Sequence, residues 1–401
     1  MTHVGAEAGP DDSPILHAAI ALAPQIRAAA NEIEQGRRIP PAIASAMKNA
    51  GIFGMVMPRA WGGPELDPLT QFRVIEALAI ADGSVGWCAM IGCDSGYLTA
   101  FLDQDVARSM YPDILVATGA GATPIGKALR VPGGYRIDGR FPFVSGCHHC
   151  EWLWLGCTVL ENGTPCLDRN GVPETRQCFV KVSQCEILDN WHTTGLRGTG
   201  SNDVVVRDIF VPAEHTFSFQ DPRLIKRRGP LHAFPFLFIA KGPAAALGIA
   251  RHAVDALIEN AVGRPARRYT LGDRLEAPKL LRDEVFVQEA VGRAETLLTA
   301  ARAYFFDVMD DIWATLVKGE GLSNTQLARF TTAHAHVIGV CVDVVQLAYK
   351  AVGGTAVYEK GPFDRCLRDI LTMNQHVVGT LRTYEMAGRL LLGMEPLRWL
   401  F

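Results

Sequence analysis

Apolar residues near the start of the chain recur every three to five positions: Ile15, Ile20, Ala23, Ile26 and Ala30, then Phe72, Ile75, Ala79 and Ile80. This is the period of one helix face, and it predicts helices from about Ser13 to Met110. Gly51 and the Pro58–Pro68 segment, with its Trp61-Gly62-Gly63 turn, divide them. From about Val116 to Pro212 the texture changes. Runs rich in β-branched and aromatic residues (Tyr135–Gly139, Trp152–Leu155, Cys178–Val182, Val204–Val211) alternate with the turns Gly133-Gly134, Asn162-Gly163 and Asn170-Gly171. Strands so spaced predict a small antiparallel sandwich or barrel. The helical period returns from about Leu231 and is clearest over Asn324–Ala351. There Ser323 and Gln326 make a capping box, Leu327, Phe330, Ile338, Cys341, Val345 and Ala348 share a face, and Gly353-Gly354 ends the helix. His334 lies on that stripe and is expected to be core. Three parts follow, at about 1–115, 116–230 and 231–401, packed into one subunit.

Composition narrows the class. The chain has 401 residues, 48% hydrophobic and 20% charged, which is ordinary globular usage. A net charge of -3 offers no electrostatic case for nucleic acid or an anionic membrane as partner. The basic run Lys226-Arg227-Arg228 reads as a solvated loop. No signal-peptide pattern and no bilayer-length apolar run are visible, so a soluble, cytoplasmic protein is expected. Ten cysteines lie mostly in apolar runs, as with Cys93, Cys157 and Cys341, and are expected to be reduced. Cys147-His148-His149-Cys150 has zinc-knuckle spacing but no second pair, so no metal is expected.

Two motifs are imitations. Gly121–Lys127 spells a P-loop until Ala128 replaces the magnesium-binding hydroxyl, and Pro132-Gly133-Gly134 leaves no room for the helix such a loop must open. Gly119, Gly121 and Gly126 mimic a dinucleotide fingerprint with the third glycine too late. No nicotinamide-binding unit is present in the sequence, so electrons for any redox step must arrive by another route.

Longer segments point elsewhere. Pro58–Gly63, Glu76–Ala79, Ala81–Trp87, FVSGCHHCEW (Phe143–Trp152), NWHTTGLRGTGSNDVVVRDIFVP (Asn190–Pro212), Arg268–Gly272 and VGGTAVYEKGPFDRCLRDI (Val352–Ile370) occur in this order. Together they resemble the acyl-CoA dehydrogenase superfamily over residues 15–398. The resemblance implies that family's fold: an N-terminal all-α domain, a middle antiparallel β domain and a C-terminal four-helix bundle. The Ser-Gly-Cys and Thr-Gly-Ser elements and Gln375-His376 look most like the two-component monooxygenases: the hydroxyphenylacetate, steroid-ring, dibenzothiophene and indole-acetate oxygenases and the nitrososynthases. Such enzymes take FMNH2 or FADH2 from a separate NAD(P)H-flavin reductase. They react it with O2 and, through a C4a-hydroperoxide, oxygenate a small aromatic or heteroatom-containing substrate. A homodimer or homotetramer is implied by the same resemblance.

The resemblance also assigns residues. Ser145 would lie over the flavin N5 edge, and His376 would face flavin and substrate as an acid or base, its ordinary pKa being near neutrality. Trp191, Thr199, Ser201, Arg268, Gly353 and Gly354 would contact the flavin. Trp87, Asp94, Ser95 and Phe238 would contact substrate, with Asp94 or Ser95 standing where phenol hydroxylases often carry another histidine. Of His148 and His149, strand alternation lets at most one point inward. An acyl-CoA dehydrogenase using bound FAD is the alternative. Its carboxylate base would fall at Val378 or Phe238, neither of which takes a proton, unless Glu385 has moved in. A flavin-bearing scaffold is a third reading.

Overall fold

The computed structural model describes residues 12–220, 224–266, 280–359, 361–379 and 382–395. Its helices and strands follow the predicted order. The first part holds α1 (Pro14–Ala28), α2 (Ala30–Gly36), α3 (Pro41–Asn49), α4 (Pro68–Ala81), α5 (Gly83–Gly92), α6 (Ser95–Leu98) and α7 (Gln104–Met110). Asp67 and Asp82 start α4 and α5 by accepting amide hydrogens, Asp67 from Thr70 and Asp82 from Ser84 and Val85.

The middle part is one sheet of β1 (Ala117–Val131), β2 (Gly134–Phe141), β3 (Cys150–Glu161), β4 (Thr164–Pro165), β5 (Thr175–Lys181), β6 (Glu186–Ile187), β7 (Val204–Pro212) and β8 (Thr216–Phe217). The strand order is β6-β7-β2-β1-β3-β5-β8, with β4 beside β3. Pairing is antiparallel except between β1 and β3, which run parallel from Ala117↔Cys150 onward. The P-loop imitation is part of β1, where the ladder shifts register between Gly121 and Gly126. It opens no helix.

The last part contains α8 (Pro230–Ala233), α9 (Gly242–Gly263), α10 (Val285–Val317), α11 (Asn324–Val352), α12 (Pro362–Met373) and α13 (Arg382–Leu391). The capping box of α11 forms as read: Ser323 Oγ accepts from the Gln326 amide and Gln326 Oε1 from the Ser323 amide. Phe330, Ile338, Cys341, Val345 and Ala348 are all buried, and α11 stops where Gly353 takes φ 73°.

One large core runs through both helical parts. At its centre α9 is buried along Gly242–Ala250, because α4 packs on one side and α11 on another. The α4–α9 contact is close enough to need glycine: a Cβ on Gly248 would meet Ala79 Cβ at 2.5 Å and the Glu76 carbonyl oxygen at 2.6 Å. Alanine is the better helix former by about 1 kcal/mol, but overpacking typically costs about 1–3 kcal/mol. Gly248→Ala is therefore expected to lower unfolding free energy by up to about 2 kcal/mol in urea titrations; a stabilised variant would contradict this packing.

Candidate active site

Helix α5 aims Trp87 at the connection between β2 and β3. That connection is bent by Phe143 (φ 60°) and Gly146 (φ 74°), which turn Ser145 inward. The Trp87 indole donates to Ser145 Oγ at 3.0 Å. From Ser145 a chain of hydroxyls continues to Ser201 Oγ at 2.7 Å and Thr199 Oγ1 at 2.6 Å. It ends on the Leu196 carbonyl, which Thr199 Oγ1 reaches at 2.8 Å and the Trp191 indole at 3.1 Å. All three hydroxyl residues are buried.

The direction of this chain is fixed by chemistry. A carbonyl only accepts, so Thr199 spends its proton on Leu196; Ser201 must donate to Thr199, and Ser145 to Ser201. The indole N–H of Trp87 fills one lone pair of Ser145. What remains on Ser145 is a single acceptor site.

His376 sits in the turn after α12, its amide bonded to the Met373 carbonyl at 3.0 Å. Its ring meets Trp87 edge-on, with centroids 5.3 Å apart and planes at 77°. The side chain is exposed, with the Trp87 ring against it. Desolvation there, and to a lesser degree His334, lower the imidazole pKa to about 4. His334 itself is core, with Nδ1 2.7 Å from the Phe330 carbonyl and Nε2 3.2 Å from that of Ile239. The structure thus brings together His376, Trp87, Ser145, Ser201, Thr199 and Trp191.

Other residues singled out in the sequence lie differently. Asp94 is fully buried and ion-paired with the equally buried Lys241, whose ammonium also approaches Cys93 Sγ at 3.3 Å. Burial pushes the Asp94 carboxyl up to about 6. Burial also works against the Lys241 charge, but Asp94, then Cys93 and Tyr97, outweigh it and hold the ammonium protonated. Ser95 Oγ donates to Thr118 Oγ1 at 2.7 Å, inside a buried cluster with Tyr111. Both side chains are thus committed to internal partners. Phe238 stacks on Phe219 and meets Trp154 edge-on. Gly353 and Gly354 are exposed at the end of α11, and Arg268 lies outside the described residues.

The first three side chains of the knuckle-like segment diverge. Cys147 Sγ turns to the Gly200 carbonyl, His148 points outward to Asn202, and His149 turns inward to stack on Phe53. His149 keeps both ring nitrogens buried without a hydrogen-bond partner among the described residues. The basic run departs from the solvated-loop expectation at its middle residue. The Arg227 guanidinium donates to the Gly96 carbonyl, Thr99, Gln104 and His232 and lies over the Trp61 ring. Five donors on one planar group let it staple a loop from several sides.

Sequence reasoning missed Lys241, Phe143, Leu196 and Asp369. Lys241 carries one signal, a lone charge entering the apolar run Gly242–Ala250. Phe143 is 68% exposed and meets Trp191 edge-on at 6.2 Å. An open aromatic wall beside buried hydroxyls fits a planar heteroaromatic group such as a flavin ring.

His376 refuses the proton that the unfolded chain takes up, so stability falls as pH drops from 6.5 towards 4. In flavin-free protein, histidine-selective NMR is expected to show its titration near 4; a resonance titrating near 6.5 and missing in His376→Gln would refute this.

Comparison with known proteins agrees with the geometry. Residues 18–114 and 242–380 match the family models for the acyl-CoA dehydrogenase N-terminal and C-terminal domains. The indole-3-acetate monooxygenase of Pseudomonas putida is 32% identical over 378 residues, spanning 92% of each chain. The flavin-dependent monooxygenase oxygenase subunit HsaA of Rhodococcus jostii (strain RHA1) is 29% identical, over 92% of this chain and 95% of that one. The crystal structure of the HsaA monooxygenase from M. tuberculosis superposes with a TM-score of 0.86 at 26% identity, covering 97% and 99% of the two chains. With its fold and these relatives, the chain belongs to the acyl-CoA dehydrogenase superfamily, in the branch of two-component flavin-dependent monooxygenases.

Proposed function

We propose that this chain binds reduced flavin against the Trp191–Ser201 segment and oxygenates a small aromatic substrate held between that flavin and His376. The observation that carries the reading is the one-way chain from Trp87 through Ser145, Ser201 and Thr199 to the Leu196 carbonyl. The remaining lone pair of Ser145 is an acceptor, so it suits a ligand N–H and disfavours a ligand lone pair. Reduced flavin carries N–H at N5, whereas oxidised flavin carries a lone pair there. When bound, reduced flavin supplies the electrons that activate O2.

The chain's own residues do the rest. Trp87 fixes the Ser145 rotor and forms a wall facing His376. Desolvation keeps His376 neutral near pH 7, which leaves its imidazole able to accept a proton from an acidic substrate group. Trp191 and Phe143 supply the aromatic wall. An aromatic substrate accords with the indole-acetate enzyme among the relatives. Reduced flavin would come from a separate reductase, as the designation oxygenase subunit of the HsaA relative implies. Val285, Phe286, Val357, Tyr358, Leu391 and Leu392 are large apolar side chains exposed on the last helical part, which favours a homodimer or homotetramer. A cytoplasmic location belongs to the same reading.

The dehydrogenase alternative needs a carboxylate at the site. Glu385 is exposed on α13, and Phe238 is packed among aromatics.

Stopped-flow mixing of the protein and chemically reduced FMN or FAD with oxygenated buffer is expected to show an absorbance transient outlasting free-flavin reoxidation. Ser145→Ala and His376→Ala should each shorten it by about tenfold or more. Immediate reoxidation by the wild-type protein would sink the oxygenase reading. Thr199→Val opens the hydroxyl chain and frees the Ser145 proton to swing outward. Its preference for reduced over oxidised flavin, from paired binding titrations, should fall about tenfold, the worth of one buried hydrogen bond. An unchanged ratio would mean that Ser145 does not discriminate by proton direction.

A further inference from the structure

Leu196 is buried and adopts the left-handed conformation, φ 48° and ψ 34°. A non-glycine residue holds that conformation only where its surroundings over-determine it. On the carbonyl side the surroundings are Thr199 and Trp191. On the amide side there is one partner: the Leu196 N–H donates to Asp369 Oδ1 at 2.6 Å.

Asp369 belongs to α12, whose last turn leads directly into His376. The other carboxylate oxygen lies against Gly83, the first residue of α5 and one turn before Trp87. The loop is pressed onto α12 as well. A Cβ on Gly195 would run into the Arg368 carbonyl, and Arg368 Nη1 donates to the Thr194 carbonyl at 2.5 Å. Asp82, Glu34 and Arg368 are the charges facing the carboxylate from α5, α2 and its own helix. A buried carboxylate is costly unless its bonds offset it, and this one joins the Leu196 loop, the helix carrying Trp87 and the helix that leads into His376.

We propose that Asp369 is a positioning residue: by holding the Leu196 amide it orients the carbonyl that ends the hydroxyl chain, and so aims the free acceptor of Ser145 at the flavin at a set distance from His376. This rests on the reading of Trp191–Ser201 as the flavin wall, and the test separates the two.

Asp369→Asn, which keeps the shape and an acceptor oxygen, and Asp369→Ala are compared with wild type as full chains. Hydrogen exchange is measured on flavin-free protein, and FMN and FAD are titrated in both redox states. The expected result is exchange across Trp191–Ser201 faster by about tenfold in Asp369→Ala and less in Asp369→Asn, measured against strands β1 to β3 as internal reference. The preference for reduced flavin should fall in the same order. Unchanged local exchange, or a lowered melting temperature with the loop and the flavin preference intact, would overturn the proposal. So would faster exchange without loss of preference. Thr199→Val then locates the failure. If it alone loses the preference, the flavin wall stands and Asp369 does not position it; if neither does, the wall assignment falls and takes the proposal with it. Should Asp369→Ala fail to fold, Asp369→Asn carries the same comparison.

Discussion

The Leu196 carbonyl oxygen accepts hydrogen bonds from the Trp191 indole and the Thr199 hydroxyl and has no proton to return. That asymmetry propagates. Each hydroxyl upstream is left with one proton and one direction in which to give it, so three rotors that would be free in water become a single ordered string. Because Trp87 caps the string with an indole N–H, neither end can reverse it. A redox cofactor changes its own hydrogen-bonding character when it changes oxidation state. A fixed donor–acceptor polarity facing such a cofactor would distinguish the two states without any movement of the protein.

Buried charge shapes the same region in two further places. Asp94 and Lys241 form an ion pair with neither side chain open to water, tying the end of α5 to the start of α9. Such a pair adds little net stability, since desolvation consumes most of the attraction. It does forbid arrangements in which either charge lies alone. Asp369 and Asp82 lie at the N-terminus of α5, where the helix dipole and free amides offset their mutual repulsion. Both carboxyls are nonetheless displaced upward by burial, that of Asp369 to about 7.

Much of the architecture was legible because it is written in local periodicity. Helix α11 shows its cap, its stripe and its stop within thirty residues, and each is decided by neighbours close in the chain. Ser145, Thr199, Ser201 and His376 were legible through resemblance to a family, since nothing about a serine in a turn announces a hydrogen-bond network. Long-range contacts were not legible. Arg227 reads as part of a charge run, and only the fold brings Gly96, Thr99, Gln104 and His232 around it. Asp369 is separated from Leu196 by 173 positions. The parallel β1–β3 pair was invisible too, because alternation marks which face a residue takes and says nothing of which strand lies beside it.

That parallel pair constrains the turn carrying Ser145. Strands β2 and β3 flank β1 on opposite sides, so the chain leaving Phe141 must step over the end of β1 before pairing again at Cys150. Two strand spacings, about 10 Å, have to be bridged by residues 142–149 while Ser145 stays aimed at Trp87. Though it is a loop by shape, this segment behaves as a bridge of fixed span. Insertions and deletions that ordinary surface loops absorb would here shift a strand or swing the serine away, so the length of the segment is as much a part of the candidate site as the hydroxyl it carries.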